Sequence, residues 1–231
     1  MLSFHLKALR KRRMGKLVTK RLEVGMLGTN CYIAMDADDR AGFVIDPGAE
    51  ARKIVEAAKV ERLECSAVLC THGHIDHIGA AGKVAEALGA PVLISRADAP
   101  SLEHSATGVA GRLGSMLVSR PKEQGIGYLE PDTVLDMPGP RLKVVPTPGH
   151  TKGSMSFIAD GAIFCGDLVF QGSVGRTDLR GGSFSELLVS VKTYVWPLPS
   201  DTVIYTGHGP TTTVAAEKAR NPFLKELGME D

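Results

Sequence analysis

The sequence predicts an α/β layered sandwich, two β-rich halves with helices on the outside. Three observations predict it. Short β-rich apolar runs end on Gly- or Pro-bearing turns along the chain. Segments with apolar residues at helical spacing lie between them. The second half loosely repeats the pattern of the first, with no low-complexity segment or clean linker between them. At 231 residues the chain is long enough to bury a substantial core. We expect one domain over residues 17–231 behind a basic tail over 1–16.

Taken in order, residues 17–25 and 29–37 read as two strands joined by a turn at Gly25 and Gly28. Residues 41–48 read as a third strand, stopped by Pro47 and Gly48. Residues 49–60 bring Ile54, Val55 and Ala58 round at helical spacing. CSAVLCT, residues 65–71, is a continuous apolar run of strand length, the pattern of a buried central strand. A helix over 78–89 closes on Gly89, and 90–95 is another buried strand. A short helix over 97–103 leads into a Gly- and Ser-bearing excursion, where Met116, Leu117 and Val118 fit a second helix. In the second half, 140–150 is a strand entering a loop, and 153–160 pairs with 161–167 as a hairpin. Residues 183–199 form an amphipathic helix stopped by Pro197. Residues 201–209 run from strand into loop, and a last helix over 211–223 takes Thr211 or Thr212 as its cap.

Composition narrows the partners. The net charge is +1, so no global field favours nucleic acid or membrane. No apolar run is long enough to span a bilayer. Eight basic residues and no acid fall within residues 6–21, a solvated charge run without the apolar core of a secretory signal. The four cysteines form no C-x-x-C pair and no disulfide framework. Cys70 and Cys165 read as buried free thiols, and reduced cysteines suit a cytoplasmic protein. We expect a small-molecule substrate and neither a nucleic-acid nor a membrane partner.

The chemistry-bearing residues gather in four places. THGHIDH supplies His72, His74, Asp76 and His77; PTPGH supplies His150; FCGD supplies Asp167; YTGH supplies His208. Each follows a strand-like run and sits in a Gly- or Pro-rich loop, where α/β folds collect site residues. Gly73, Gly149, Gly166, Gly207 and Gly209 allow those loops to turn tightly. Imidazole and carboxylate hold Zn²⁺, Fe²⁺ or Mn²⁺. Five histidines and two aspartates exceed one tetrahedral ion and suit two, with a carboxylate shared between them. A lone His150 or His208 reads as a turn or core residue; beside the six-residue cluster it reads as a ligand. No G-x-S-x-G elbow or Cys–His pair competes as nucleophile.

These motifs, in this order, resemble the metallo-β-lactamase-fold superfamily from Thr19 to Leu224. Within it, GMLGTNCYIA, FCGDLVFQGSVGRTD and TGHGPTTTVAAEKARNPF resemble the glyoxalase II group, in particular its short bacterial members. The resemblance implies a four-layer αββα sandwich with two mixed sheets. It implies two divalent ions, zinc first and Fe²⁺ or Mn²⁺ as alternatives. His72, His74 and His150 would hold one, Asp76, His77 and His208 the other, and Asp167 would bridge. It also implies hydrolysis of a thioester such as S-lactoylglutathione by a hydroxide shared between the metals, with Asp76 and Asp167 acting through that hydroxide. The GRTD run, residues 175–178, replaces a Lys- and Tyr-bearing loop of the longer enzymes. Arg176 there either contacts a substrate carboxylate or pairs with Asp178 to hold the loop. A mononuclear-iron persulfide dioxygenase using His72, His150 and Asp167 is the main rival, and a lactonase uses the same two-metal chemistry. A β-lactamase would carry a cysteine ligand where Asp167 stands. A metal-bearing scaffold that binds partners through its basic N-terminus is the non-enzymatic reading.

Overall fold

The computed structural model describes residues 16–103, 118–121 and 125–225. The basic segment over 1–15 and the second-helix positions Met116 and Leu117 lie outside the described residues. Val118 is described, and it sits at a bend.

A reversal at Gly25–Gly28 pairs β1 (Leu17–Val24) with β2 (Thr29–Asp36), and β2 pairs with β3 (Ala41–Ile45), all antiparallel. Helix α1 (Ala51–Val60) crosses over, so β4 (Glu64–Leu69) lies parallel to β3. α2 (Ile75–Ile78) and α3 (Ala81–Leu88) then lead to β5 (Val92–Ser95), and α4 (Pro100–Glu103) precedes β6 (Ile126–Leu129). The six strands form one mixed sheet in the order β1-β2-β3-β4-β5-β6.

The second sheet is built from β7 (Thr133–Val134), β8 (Lys143–Pro146), β9 (Met155–Ala159) and β10 (Ala162–Gly166). A two-stranded ribbon, β11 (Val169–Phe170) and β12 (Ser173–Val174), follows β10, and then comes α5 (Phe184–Ser190). β13 (Val203–Thr206), β14 (Thr212–Thr213) and α6 (Val214–Arg220) close the described chain. The sheet order is β14-β13-β10-β9-β8-β7, mixed because β10 and β13 run parallel.

Three apolar clusters define the layers. Strand β2 is buried at every position. Its Ile33 and Met35 pack outward with Ile54, Val55 and Val84 from α1 and α3. Its Tyr32 and Ala34 face inward with Phe43, Phe157 and Phe164, which fills the space between the sheets. On the far side, Leu187, Val191, Val195 and Trp196 cover Ile163 and Ile204. The result is helix, sheet, sheet, helix. Each fully buried large side chain contributes roughly 1.5–3 kcal/mol. Among the described residues no helix is long and apolar enough to cross a membrane.

Several elements differ from their sequence pattern. The helix expected over 78–89 starts only at Ala81, as α3, and Asp76 and His77 sit before it on a separate short helix, α2. The break falls where other segments take the backbone. The Gly79 carbonyl accepts from the Ser119 amide (2.7 Å), and the Ala80 amide donates to Pro47 O (2.9 Å). The helix expected over 97–103 is only α4. The segment 183–199 is capped by Ser183, whose hydroxyl accepts from the Glu186 amide, but from Val191 to Val195 it is a π-helix. The last helix is capped by Thr213, not by Thr211 or Thr212. The Thr213 hydroxyl accepts from the Ala216 amide, while Thr212 lies in β14 and donates its hydroxyl to Glu217 (2.6 Å). Strands β7, β11, β12 and β14 are two residues each, too short to leave a readable pattern, and β6 lies where no strand is expected.

Candidate metal centre

The seven candidate residues come together at one edge of the sandwich. His72 and His74 follow β4, Asp76 and His77 ride on α2, His150 follows β8, Asp167 follows β10 and His208 follows β13. The two sheets are stitched together there. The Asn30 amide donates to Gly207 O (2.8 Å), and the Met155 amide donates to Thr71 O (2.8 Å). Gly207 must be small: a Cβ on it would lie 2.1 Å from Asp167 Oδ1 and 2.9 Å from His77 Cε1.

The side chains point at one another rather than at solvent. His74 Nδ1 lies 2.8 Å from His150 Nε2. His77 Nε2 and His208 Nε2 are 3.3 Å apart. Asp167 spans the two groups, with Oδ1 3.3 Å from His77 Nε2 and Oδ2 3.4 Å from His150 Nε2. Asp76 Oδ2 is 3.2 Å from His208 Nε2 and accepts from the Thr29 hydroxyl (3.1 Å). Within each of the sets His72–His74–His150 and Asp76–His77–His208, one ligand atom per residue lies within 4.8 Å of the others.

Hydrogen bonds on the outer side of the rings fix which nitrogen faces inward. His150 Nδ1 donates to Arg176 O (2.7 Å), and His208 Nδ1 donates to Leu27 O (3.1 Å). His77 Nδ1 donates to Asp46 Oδ2 (2.9 Å). The Thr71 hydroxyl donates to Asp46 Oδ2 (2.6 Å), so at 3.0 Å it accepts from His72 Nδ1. Each of these four rings therefore turns its Nε2 to the centre. His72 Nε2 is buried with no hydrogen-bonding partner, as is Asp167 Oδ1. Orphaned buried acceptors cost free energy unless a cation satisfies them, so the residues fit metal ions.

The charges agree with this geometry. Burial and the charges of His77 and His150 press the His72 pKa well below its ordinary value. Burial and His150 press His74 down likewise. Burial opposes a charge on His77, but the carboxylates of Asp167 and Asp46 outweigh it and raise its pKa. His208 is raised by its hydrogen bond to Asp76. For Asp76 and Asp167 burial works against ionisation, yet the surrounding histidines hold both carboxyls below the usual range.

Asp46 is the residue that sequence reasoning missed. It is buried, and its carboxylate takes the Thr71 amide (2.7 Å) and hydroxyl as well as His77. Its φ of 52° is in the left-handed region, a conformation that surrounding contacts must hold. Asp46, His72 and His77 also cluster within 4.8 Å. With three donors already on its two oxygens, Asp46 orients rings rather than offering a further ligand. The signal was present: VIDPG places an aspartate at the end of β3, by the same rule that found Asp167. Arg176 is ion-paired within its own loop. Its guanidinium meets both oxygens of Asp178 at 2.8 Å, which holds that exposed carboxyl down to about 2.

A layered α/β sandwich with a His/Asp cluster on one sheet edge defines a metallo-hydrolase scaffold. The profile of the metallo-β-lactamase superfamily matches residues 24–208, and the chain belongs to that superfamily. It is 36% identical to a probable metallo-hydrolase of Bacillus subtilis (strain 168), covering 91% of this chain and 99% of the other. It is 34% identical to a hydroxyacylglutathione hydrolase, GloC, of Haemophilus influenzae, covering 84% of this chain and 92% of that one. Among solved structures it is similar to the BLEG-1 B3 metallo-β-lactamase, with a TM-score of 0.81, 36% identity and coverage of 90% and 99%. It is also similar to TTHA1623 in a di-iron-bound form, with a TM-score of 0.77, 33% identity and coverage of 89% and 100%.

Proposed function

We propose that this metallo-hydrolase cleaves thioesters, with an S-acyl glutathione such as S-lactoylglutathione as the first substrate to test. The observation that carries the reading is the convergence of seven His and Asp side chains, four of whose rings are tied off at the outer nitrogen and turn Nε2 inward. His72, His74 and His150 would hold one divalent ion, zinc in the first instance, and Asp76, His77 and His208 would hold the other. Asp167, within 3.4 Å of both sets, would be the shared ligand. When bound, the two ions supply Lewis acidity and a nucleophilic water near neutral pH.

The chain's own groups do the rest. Thr29 and His208 fix the Asp76 carboxylate, which orients the attacking water. Asp46 holds His77 upright from behind. No cysteine supplies a rival nucleophile among the four in the chain. Burial pushes the Cys65 thiol up to about 11 and Cys165 up to about 12, and raises Cys31 and Cys70 well above the ordinary value. A thiol leaves as thiolate near its own pKa, about 8.5, so thioester cleavage makes little demand for a proton donor. Similarity to the Haemophilus influenzae hydroxyacylglutathione hydrolase supports the substrate class. Arg176 is assigned first to holding its loop; contact with a substrate carboxylate requires it to leave Asp178, and Arg176→Ala tests that contact through KM.

The test is to reconstitute purified protein with Zn²⁺, Mn²⁺ or Fe²⁺ and follow three reactions. These are thiol release from S-lactoylglutathione, O₂ uptake with glutathione persulfide, and β-lactam opening. Thiol release as the dominant activity is expected. O₂ uptake by an iron-loaded form, or β-lactam opening without thioester cleavage, overturns the reading.

A further inference from the structure

We infer that Asp98, a buried carboxylate outside the ligand set, is a positioning residue for one half of the metal centre only. The inference rests on the ligand assignment above. Asp98 lies in the turn after β5, is 9% exposed, and is held by its own amide to Ser95 O (3.2 Å). Its Oδ2 accepts two hydrogen bonds from two different loops. One comes from the Gly73 amide (2.9 Å), the peptide between His72 and His74. The other comes from the Thr151 hydroxyl (2.7 Å), on the residue that follows His150.

One oxygen thus ties together the backbone supports of His72, His74 and His150. Those supports arise from opposite sheets, since His72 and His74 follow β4 and His150 follows β8. The surroundings are shaped to admit the carboxylate. A Cβ on Gly153 would lie 2.4 Å from both Asp98 Oδ1 and Ser95 Oγ, so glycine there makes the room. The Thr151 hydroxyl, having given its proton to Asp98, accepts from the Ser154 hydroxyl at 2.8 Å, which orients it.

None of these bonds reaches Asp76, His77 or His208. Asp46 serves that side, through His77, and touches His72 only by way of Thr71. The two buried aspartates therefore divide the work: Asp98 spaces the loops of the all-histidine set, and Asp46 orients the ring in the mixed set. Bonds of this kind behind a ligand change metal affinity by about 10–100-fold when lost.

The experiment measures Zn²⁺ affinity by chelator competition, so it does not depend on which reaction the enzyme catalyses. A His208→Ala background reports on the all-histidine position and a His74→Ala background on the mixed position. Asp98→Ala is expected to lower affinity about 10–100-fold in the first background and less than about threefold in the second. Asp98→Asn keeps one oxygen for both donors and is expected to restore affinity to within about threefold. If Asp98→Ala does not fold, Thr151→Val severs only the tie to the His150 loop and should weaken the same position, with Thr151→Ser restoring it. An equal loss in both backgrounds makes Asp98 merely structural, and no loss in either removes its role; both outcomes overturn the inference. Failure of the unmutated protein to bind Zn²⁺ at all overturns the ligand assignment and the inference together.

Discussion

Asp46→Asn isolates the function of the aspartate behind His77. The substitution keeps the shape, and asparagine tolerates the left-handed φ of 52° at least as well as aspartate, so the backbone is not the variable. What changes is that one acceptor oxygen becomes a donor. If the amide group takes the Oδ1 position it faces the Thr71 amide, now at 2.7 Å; if it takes Oδ2 it faces His77 Nδ1–H at 2.9 Å and the Thr71 hydroxyl at 2.6 Å. Either way at least one buried donor meets another donor, a cost of about 1–3 kcal/mol. The bonds that survive lose their charge assistance. His77 then loses its fixed orientation and basicity, which predicts a 10–100-fold fall in affinity at the mixed position, about 1.4–2.7 kcal/mol. Chelator competition reads the affinity, and a guanidinium melt of the metal-free protein reads the stability. Affinity within about twofold of the unmutated protein would refute the assignment of Asp46 as the group that orients His77.

Other outcomes follow from the same geometry. Gly207→Ala puts a methyl group 2.1 Å from Asp167 Oδ1, so metal content should fall by about tenfold or more while the far-UV dichroism stays unchanged; full occupancy would show that the loop yields. In the metal-free protein the pKa values of His77 and His208 are raised and those of Asp76 and Asp167 are lowered, which places the exchangeable protons of the site on the histidines rather than the carboxylates. Metal uptake must expel those protons, so calorimetry in buffers of different ionisation enthalpy should show net proton release, and affinity should weaken as pH falls. Release of none contradicts the sign of those shifts. With Cys65 at about 11 and Cys165 at about 12, native protein at pH 8 should react with a thiol-specific disulfide reagent far more slowly than unfolded protein does. Prompt native labelling of Cys165 would contradict its burial.

The layers were legible in the sequence because burial leaves a pattern. Strand β4 ends in the buried apolar run Ala67, Val68 and Leu69, and α1 repeats Ile54, Val55 and Ala58 on one face. The seven candidate residues could be picked out because they stand in the loops, or on the short helix α2, that follow readable strands. What stayed hidden depends on contacts distant in sequence. The π-helix at Val191–Val195 has the apolar content of an ordinary helix, and only packing on the second sheet selects the wider turn. The separation of α2 from α3 is imposed by Ser119 and Pro47, some 40 and 30 residues away. Asp46 and Asp98 look like ordinary turn aspartates, because their partners Thr71, His77, Gly73 and Thr151 lie on other strands' loops. Single-residue roles such as that of Arg176 also required coordinates: its carbonyl fixes His150 while its guanidinium engages Asp178.

The claim on which the rest depends is that two ions share Asp167. Metal content per chain, measured by mass spectrometry on unmutated, Asp167→Ala and His208→Ala proteins purified in parallel, tests it most directly. About two ions in the unmutated protein, a loss at both positions in Asp167→Ala, and about one ion in His208→Ala are predicted. Retention of both ions by Asp167→Ala would contradict the bridge.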